Sequence, residues 1–420
     1  MGMTLTAKIL NAHRLGPAAV GSLYHRLEVD VMLGHEATIA LLIQRFENLG
    51  LRIQSPEKCL FAADHFVPPA SPERATILQR YIAFLRQQGV SEQLLFKGIS
   101  HQLMLEDPRV RPGVLVCGAD SHTTMGGALG AFAAGYGSTD MLSILVTGEV
   151  MECIPPAQLF EVTGRLSKGV LPKDLALWMM KILGEGGGTG YALEWIDVDE
   201  TLSIGGRATV SNMAVDCGAL NGVWQVDART CEYLKWRDGK LEGTELEWRA
   251  DPDALYEHHH RVALETLPPL LALPGSPADV HPASTVAGEP VHQVVLGSCT
   301  SSDGEDIRAA SRLLHGKKVA SGLRLVVTPS SQAVYRSLMQ DGTLLSLLDA
   351  GALITVPACG ACGGIDKGLL GAGEVCVSTS NRNFRGRMGH PDARVYLGSG
   401  VTAAAAALTG RVCDPREILT

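Results

Sequence analysis

Apolar positions along this chain follow two rhythms. Between residues 72 and 106 they recur at helical spacing, with Ile77, Leu78, Tyr81, Ile82 and Leu85 on one face behind Pro72-Glu73-Arg74. A turn of 3.6 residues returns such positions to one side, so the pattern predicts a helix over 72–106. Elsewhere the apolar residues form short, nearly unbroken runs at 113–118, 291–296, 352–356 and 375–378. Runs of that length read as strands buried on both faces. Each feeds a turn of small residues that carries polar groups. The first leads to Asp120-Ser121-His122-Thr123-Thr124 and the second to Gly297-Ser298-Cys299. The third leads to Pro357-Ala358-Cys359 and the fourth to Thr379-Ser380-Asn381-Arg382-Asn383.

Doubly wound α/β sheets bind ligands outside the carboxyl ends of their strands. The pattern therefore predicts an α/β protein whose site is assembled from several strand ends. Six prolines between residues 267 and 290 predict a linker or wrapping loop, and Ile154-Pro155-Pro156 marks a softer boundary. The expected organisation is three α/β domains, 1–155, 156–280 and 281–420. The alanine run at 403–407 is expected to be helical.

At 420 residues the chain exceeds one ordinary core, and 46% apolar residues suffice for several. Its 47 glycines suit tight strand–helix turns and sites where main-chain amides approach a ligand. A net charge of −8 argues against a nucleic-acid binder, which carries a basic face. Ten dispersed cysteines, no apolar leader and no membrane-length apolar run point to a reducing, cytoplasmic setting.

Three of those cysteines suggest chemistry. Cys299 stands alone, while Cys359 and Cys362 form a C-x-x-C pair. Fe–S clusters are usually held by four thiolates, so three would leave one iron open to substrate. A zinc corner or a redox pair is the competing reading, although there is no second C-x-x-C to complete a zinc site. Asp64-His65 follows an apolar run, and a carboxylate beside a histidine can tune it for proton transfer; a surface pair is the plain alternative. Asp120 to Thr124 is either a polar loop or part of a site, and His101 alone reads as a packed histidine. Arg382, Arg385 and Arg387 crowd one short segment. They suit a di- or tricarboxylate through bidentate contacts, or form a solvated basic loop.

Taken together, Gly118 to Thr124, Gly135 to Asp140, Gly297 to Thr300, the Cys359/Cys362 pair and Ser378 to Arg387 resemble the aconitase superfamily. The resemblance covers nearly the whole chain. It implies a three-lobed fold of doubly wound sheets around a central Fe–S cleft. It implies a 4Fe–4S cluster on Cys299, Cys359 and Cys362, with one iron free of cysteine and Asn381 touching the cluster. By the same resemblance, Asp64, His65, His101, Asp120, His122 and Asp216 are catalytic. His35, Ser121, Asn212, Arg382 and Arg387 are expected to bind substrate. Ending at Thr420, the chain resembles the large subunits of two-subunit members. A small subunit would then supply a swivelling fourth domain with a serine base and a further arginine.

The implied activity is that of a hydro-lyase isomerising a 2-hydroxy di- or tricarboxylate, foremost 2-isopropylmalate in leucine biosynthesis. Homoaconitase-type or 2,3-dimethylmalate-type dehydration is the alternative. An RNA-binding, cluster-free regulator is the contrasting class, and no membrane partner is expected. Four positions depart from the usual motifs: Ala358, Ala361, Ser301 and Asp216, the last where a glutamate is common. They leave the thiolates in place and bear on substrate choice.

Overall fold

The computed structural model describes residues 2–17, 22–286, 288–301 and 303–419. Met1 and Thr420, the outer ends of the expected first and third domains, lie outside them, as does Ala287 of the proline-rich stretch. Two compact units result, one formed by Met1–Thr163 with Gly188–Val262 and the other by Gly164–Gly187 with Ala263–Thr420.

In the first unit the strands are β1 (Tyr24–Glu28), β2 (Val31–His35), β3 (Cys59–Ala62), β4 (Leu115–Gly118), β5 (Phe132–Gly135), β6 (Glu149–Cys153), β7 (Ala157–Thr163), β8 (Ala192–Asp197), β9 (Asn221–Trp224) and β10 (His258–Ala263). One sheet has the order β3-β2-β4-β5 and is parallel throughout. A second has the order β10-β7-β8-β9, and β1 pairs antiparallel with β6. Every residue of β2, β3 and β4 is buried, as strands covered on both faces require. The turn leaving β4 depends on glycine: a Cβ on Gly118 would lie 1.9 Å from Thr123 Oγ1. The 3₁₀ segment Ser121–Leu129 then packs on β9 so closely that a Cβ on Gly127 would meet the Gly222 carbonyl at 2.0 Å.

The single helix expected over 72–106 is two helices, Pro72–Gln88 and Ser100–Glu106. Gly89 ends the first in the left-handed region, its amide turned back to Arg86 and Leu85. This break lets Ser100 and His101 open a separate helix rather than lie far along the first.

The second unit holds β11 (Leu270–Ala272), β12 (Val280–Pro282), β13 (Gln293–Gly297), β14 (Arg324–Thr328), β15 (Leu353–Ile354), β16 (Val375–Ser378) and β17 (Arg394–Gly398). They form one sheet ordered β12-β11-β17-β16-β13-β14-β15, parallel from β17 to β15. Its core joins Val294, Leu296, Leu325, Val327 and Val377 with Ile307, Leu314 and Ala403–Ala407. The alanines lie within the helix Gly400–Thr409, where small side chains let it press against the helix Glu305–Leu314.

The proline-rich stretch is not merely a linker. It supplies β11 and β12, which extend the sheet antiparallel from β17 because Leu270, Leu271 and Ala272 are buried apolar residues. The boundary expected at 280 thus falls inside a sheet, and residues 164–187 join this unit because the helix Pro172–Leu183 packs on β11. No helix among the described residues is long and apolar enough to cross a membrane.

Candidate active site

In the first unit, β2, β3 and β4 run parallel, so their carboxyl ends share one edge. His35 ends β2, Asp64 and His65 follow β3, and Asp120 follows β4. Asp64 is fully buried and its Oδ1 meets His65 Nδ1 at 2.6 Å, while its Oδ2 accepts from the Ser100 amide at 2.6 Å. The His35 ring stacks on the His65 ring at 3.9 Å, with planes 10° apart. Asp120 faces three histidines: His101 Nε2 at 2.9 Å, His35 Nε2 at 3.4 Å and His122 Nδ1 at 3.6 Å. Its carboxylate also accepts from the His122 amide at 2.8 Å, which caps the 3₁₀ segment. His122 Nε2 in turn lies 3.5 Å from Asp216 Oδ2. Ser121 Oγ is 3.4 Å from His122 Nδ1. Asn212 is buried on the helix Ile204–Met213, its amide 3.5 Å from Met125 Sδ.

These contacts set protonation. Burial works against a proton on His65, but the charge and hydrogen bond of Asp64 outweigh it, and Glu36 and Asp120 add to them, lifting it to about 9. Burial would raise the Asp64 carboxyl, yet the charge and hydrogen bond of His65, with His35 beyond, hold it well below the usual range. Asp120 is likewise held low against burial, by the charge of His101 and hydrogen bonds from His101, His122 and His35. At neutral pH His65 is a half-buried acid with its carboxylate partner ionised.

In the second unit, Gly297 leaves β13 with its amide donated to Thr379 Oγ1 at 2.9 Å, and Ser298 takes a positive φ of 96° before Cys299. A Cβ on Gly297 would lie 2.1 Å from the Thr328 carbonyl, so only glycine fits there. Cys359 and Cys362 sit on the tight turn Gly360–Gly363. Asn381, just past β16, bridges the loops: its Nδ2 is 3.3 Å from Cys299 Sγ and its Oδ1 is 3.5 Å from Cys362 Sγ. Burial opposes the charge on Arg387, yet Cys362, Cys359 and Cys299 together hold its guanidinium above its ordinary value. Arg387 Nε is buried and finds no hydrogen-bond partner among the described residues, although the side chain hydrogen-bonds Cys362. Arg382 is half-buried, whereas Arg385 is exposed and pairs with Asp392 at 3.1 Å. The crowded arginines therefore separate, and it is Arg387 that goes with the sulfurs.

The donor set suits an iron–sulfur group. Three cysteine thiols come from two loops, two of them joined through Asn381, with the half-buried Arg387 cation feeling all three, and thiolates are the usual ligands of such clusters.

Three groups escaped the sequence reading. Glu36 is fully buried beside His35 and accepts from the amides of Asp64 and His65. A carboxylate beside a histidine at the end of an apolar strand was its available signal. Lys173, also fully buried, donates to the carbonyls of Thr379 at 3.2 Å and Ser380 at 2.7 Å, directly before Asn381. Asp174 accepts from the amides of Leu171 and Leu270, and burial lifts its carboxyl to about 7. Nothing local marks Lys173, whose partners lie about two hundred residues away, whereas Asp174 stands at the helix start behind Pro172 and, of its two amide partners, only Leu270 is remote in sequence.

Comparison with known proteins agrees with this architecture. The chain is 41% identical over 422 residues to a Methanopyrus kandleri protein named 3-isopropylmalate dehydratase large subunit 1, covering all of both chains. It is 39% identical over 426 residues to the 3-isopropylmalate dehydratase large subunit of Moorella thermoacetica, again covering both chains entirely. The crystal structure of Thermococcus kodakaraensis aconitase X in its holo-form shares the fold, with a TM-score of 0.53, 12% identity and 92% coverage of each chain. The aconitase family (aconitate hydratase) model matches residues 7–290 and 282–410. This chain belongs to the aconitase family.

Proposed function

We propose that this chain is the large subunit of a two-subunit hydro-lyase that isomerises 2-isopropylmalate to 3-isopropylmalate in leucine biosynthesis. The observation that carries the reading is the bridging of Cys299 and Cys362 by Asn381, in a chain similar along its whole length to named 3-isopropylmalate dehydratase large subunits. Cys299, Cys359 and Cys362 would hold a 4Fe–4S cluster with one iron free of cysteine. When bound, that group supplies Lewis acidity that polarises the hydroxyl to be expelled.

The chain's own residues supply the rest. His65, protonated at neutral pH, gives its proton to the departing hydroxyl, which leaves as water when the C–O bond breaks. A base on the small subunit takes the proton from the neighbouring carbon, and the electrons of that C–H bond form the alkene. Water returns with the opposite regiochemistry, and the two protons are restored. Arg387 and Arg382 hold the substrate carboxylates, so the C–H bond is presented to the base. Asp120, with His101, His122 and Asp216, orients the groups around the leaving oxygen. The small subunit, the swivelling domain it carries and a cytoplasmic location belong to the same proposal.

The test is an anaerobic assay of the iron- and sulfide-reconstituted chain with its small subunit, following the ultraviolet absorbance of the alkene. 2-Isopropylmalate should be turned over in preference to homocitrate, citrate and 2,3-dimethylmalate. Preference for another of the four would assign that hydroxy acid instead. An intact cluster with no turnover of any would overturn the activity.

A further inference from the structure

We propose that Glu36 is a positioning residue for His65: its carboxylate takes the main-chain amides that follow β3 and so fixes the imidazole in the pose for proton delivery. The proposal rests on the role given to His65 above. Glu36 opens the helix Glu36–Leu49 and is fully buried. Its Oε2 accepts from the Asp64 amide at 3.0 Å, and its Oε1 accepts from the His65 amide at 2.7 Å and from the Phe66 amide. A carboxylate buried this deeply is costly unless its oxygens are satisfied, and here three amides satisfy it.

The same short segment is gripped from the other side. Tyr81, on the helix Pro72–Gln88, is fully buried and donates its hydroxyl to the Ala62 carbonyl at 2.8 Å. Residues 62–66 are thus held at a carbonyl and at three successive amides. With the main chain fixed, the His65 ring is set by Asp64 on Nδ1 and by His35 on its face. Nε2 is left as the nitrogen that presents the proton. Glu36 also faces His65 as a charge, together with Asp64 and Asp120, while His35 faces it from β2.

A cation is the competing occupant, because His35, Glu36, Asp64 and His65 each bring one ligand atom within 4.8 Å of the others. The carboxylate oxygens already receive N–H donors: Glu36 from three amides, Asp64 from Ser100 and from His65. A cation would face those protons, so the geometry favours the anchor.

Glu36→Gln and Glu36→Asp in the full chain test the proposal. The His65 midpoint is followed by NMR of ¹³C-histidine-labelled protein, with His65→Asn assigning the signal, and kinetics use the reconstituted two-subunit enzyme. Glu36→Gln removes the charge and turns an NH₂ toward an amide. It should lower the midpoint and reduce kcat by roughly tenfold, with little change in KM. Glu36→Asp keeps the charge but is one methylene shorter, so it should keep more of the midpoint while kcat still falls. An unshifted midpoint in folded Glu36→Gln overturns the proposal. If that variant does not fold, wild-type kcat in Glu36→Asp overturns it. The titration needs no substrate, so it decides the role of Glu36 even if the chain turns over a different hydroxy acid.

Discussion

His122 Nε2 and Asp216 Oδ2 lie 3.5 Å apart and tie the turn after β4 to the turn after the helix Ile204–Met213. The Asp216 side chain is 1% exposed, so the contact is closed to bulk water. Asp216→Asn keeps the shape and removes the charge facing His122. We expect kcat to fall by about tenfold or more, with a stability loss of no more than about 2 kcal/mol. Asp216→Glu, the residue common at this motif position, adds a methylene to a closed site. It should cost about 1–3 kcal/mol by overpacking. Steady-state kinetics and urea unfolding separate the two effects.

The pair of buried Asp64 and half-buried His65 makes stability depend on pH in both directions. His65 is raised to about 9, so its contribution is fully present below about 6.5 and is lost as pH rises through 9. Asp64 is lowered, so its contribution is present above about 4 and is lost as pH falls toward its folded value. Activity carried by the His65 proton should decline above about pH 9. Asp64→Asn should move that decline to lower pH, because the partner that raises His65 is gone. A pH–rate profile with unfolding curves at matched pH checks both statements.

Cys299→Ser should abolish iron loading while leaving far-ultraviolet circular dichroism unchanged, because Cys299 lies in the loop after β13 rather than in the sheet. Iron per chain and visible absorbance after anaerobic reconstitution are the readouts. The unaltered enzyme should lose activity in air with a chelator and regain it with iron and thiol under anaerobic conditions. Full activity after prolonged exposure would count against the cluster.

Lys173→Met should destabilise the second unit. It strips the donor from the carbonyls of Thr379 and Ser380 and removes the cation that helps to lower the buried carboxyls of Asp174 and Asp306. Removing one member of such a buried polar set costs about 3–5 kcal/mol. Because those carbonyls precede Asn381, KM for a carboxylate substrate should rise as well. Denaturant unfolding and substrate saturation curves measure the two consequences.

The chain's short apolar runs and the polar turns that follow them were legible in sequence, because buried parallel strands need unbroken apolar runs. The run at 375–378 is β16, and the runs at 113–118 and 291–296 overlap β4 and β13. The run at 352–356 shortens to the two residues of β15 at the edge of the sheet. The motifs of cysteines, histidines and arginines could also be read, since residue type alone limits their chemistry. The break at Gly89 has only a lone glycine as its signal while helical spacing resumes beyond it, so the placement of Ser100 against Asp64 that it permits could not be read locally. Nor could β11 and β12, whose prolines suggest a linker until Leu270 to Ala272 find β17. Likewise Arg382, Arg385 and Arg387 look equivalent in sequence, and solvent exposure and the sulfurs distinguish them. Lys173 lay beyond local reading altogether, and the role of Glu36 lay beyond its one local signal. A buried charge is tolerated only where distant main-chain groups converge on it, and that convergence exists only once the chain has folded.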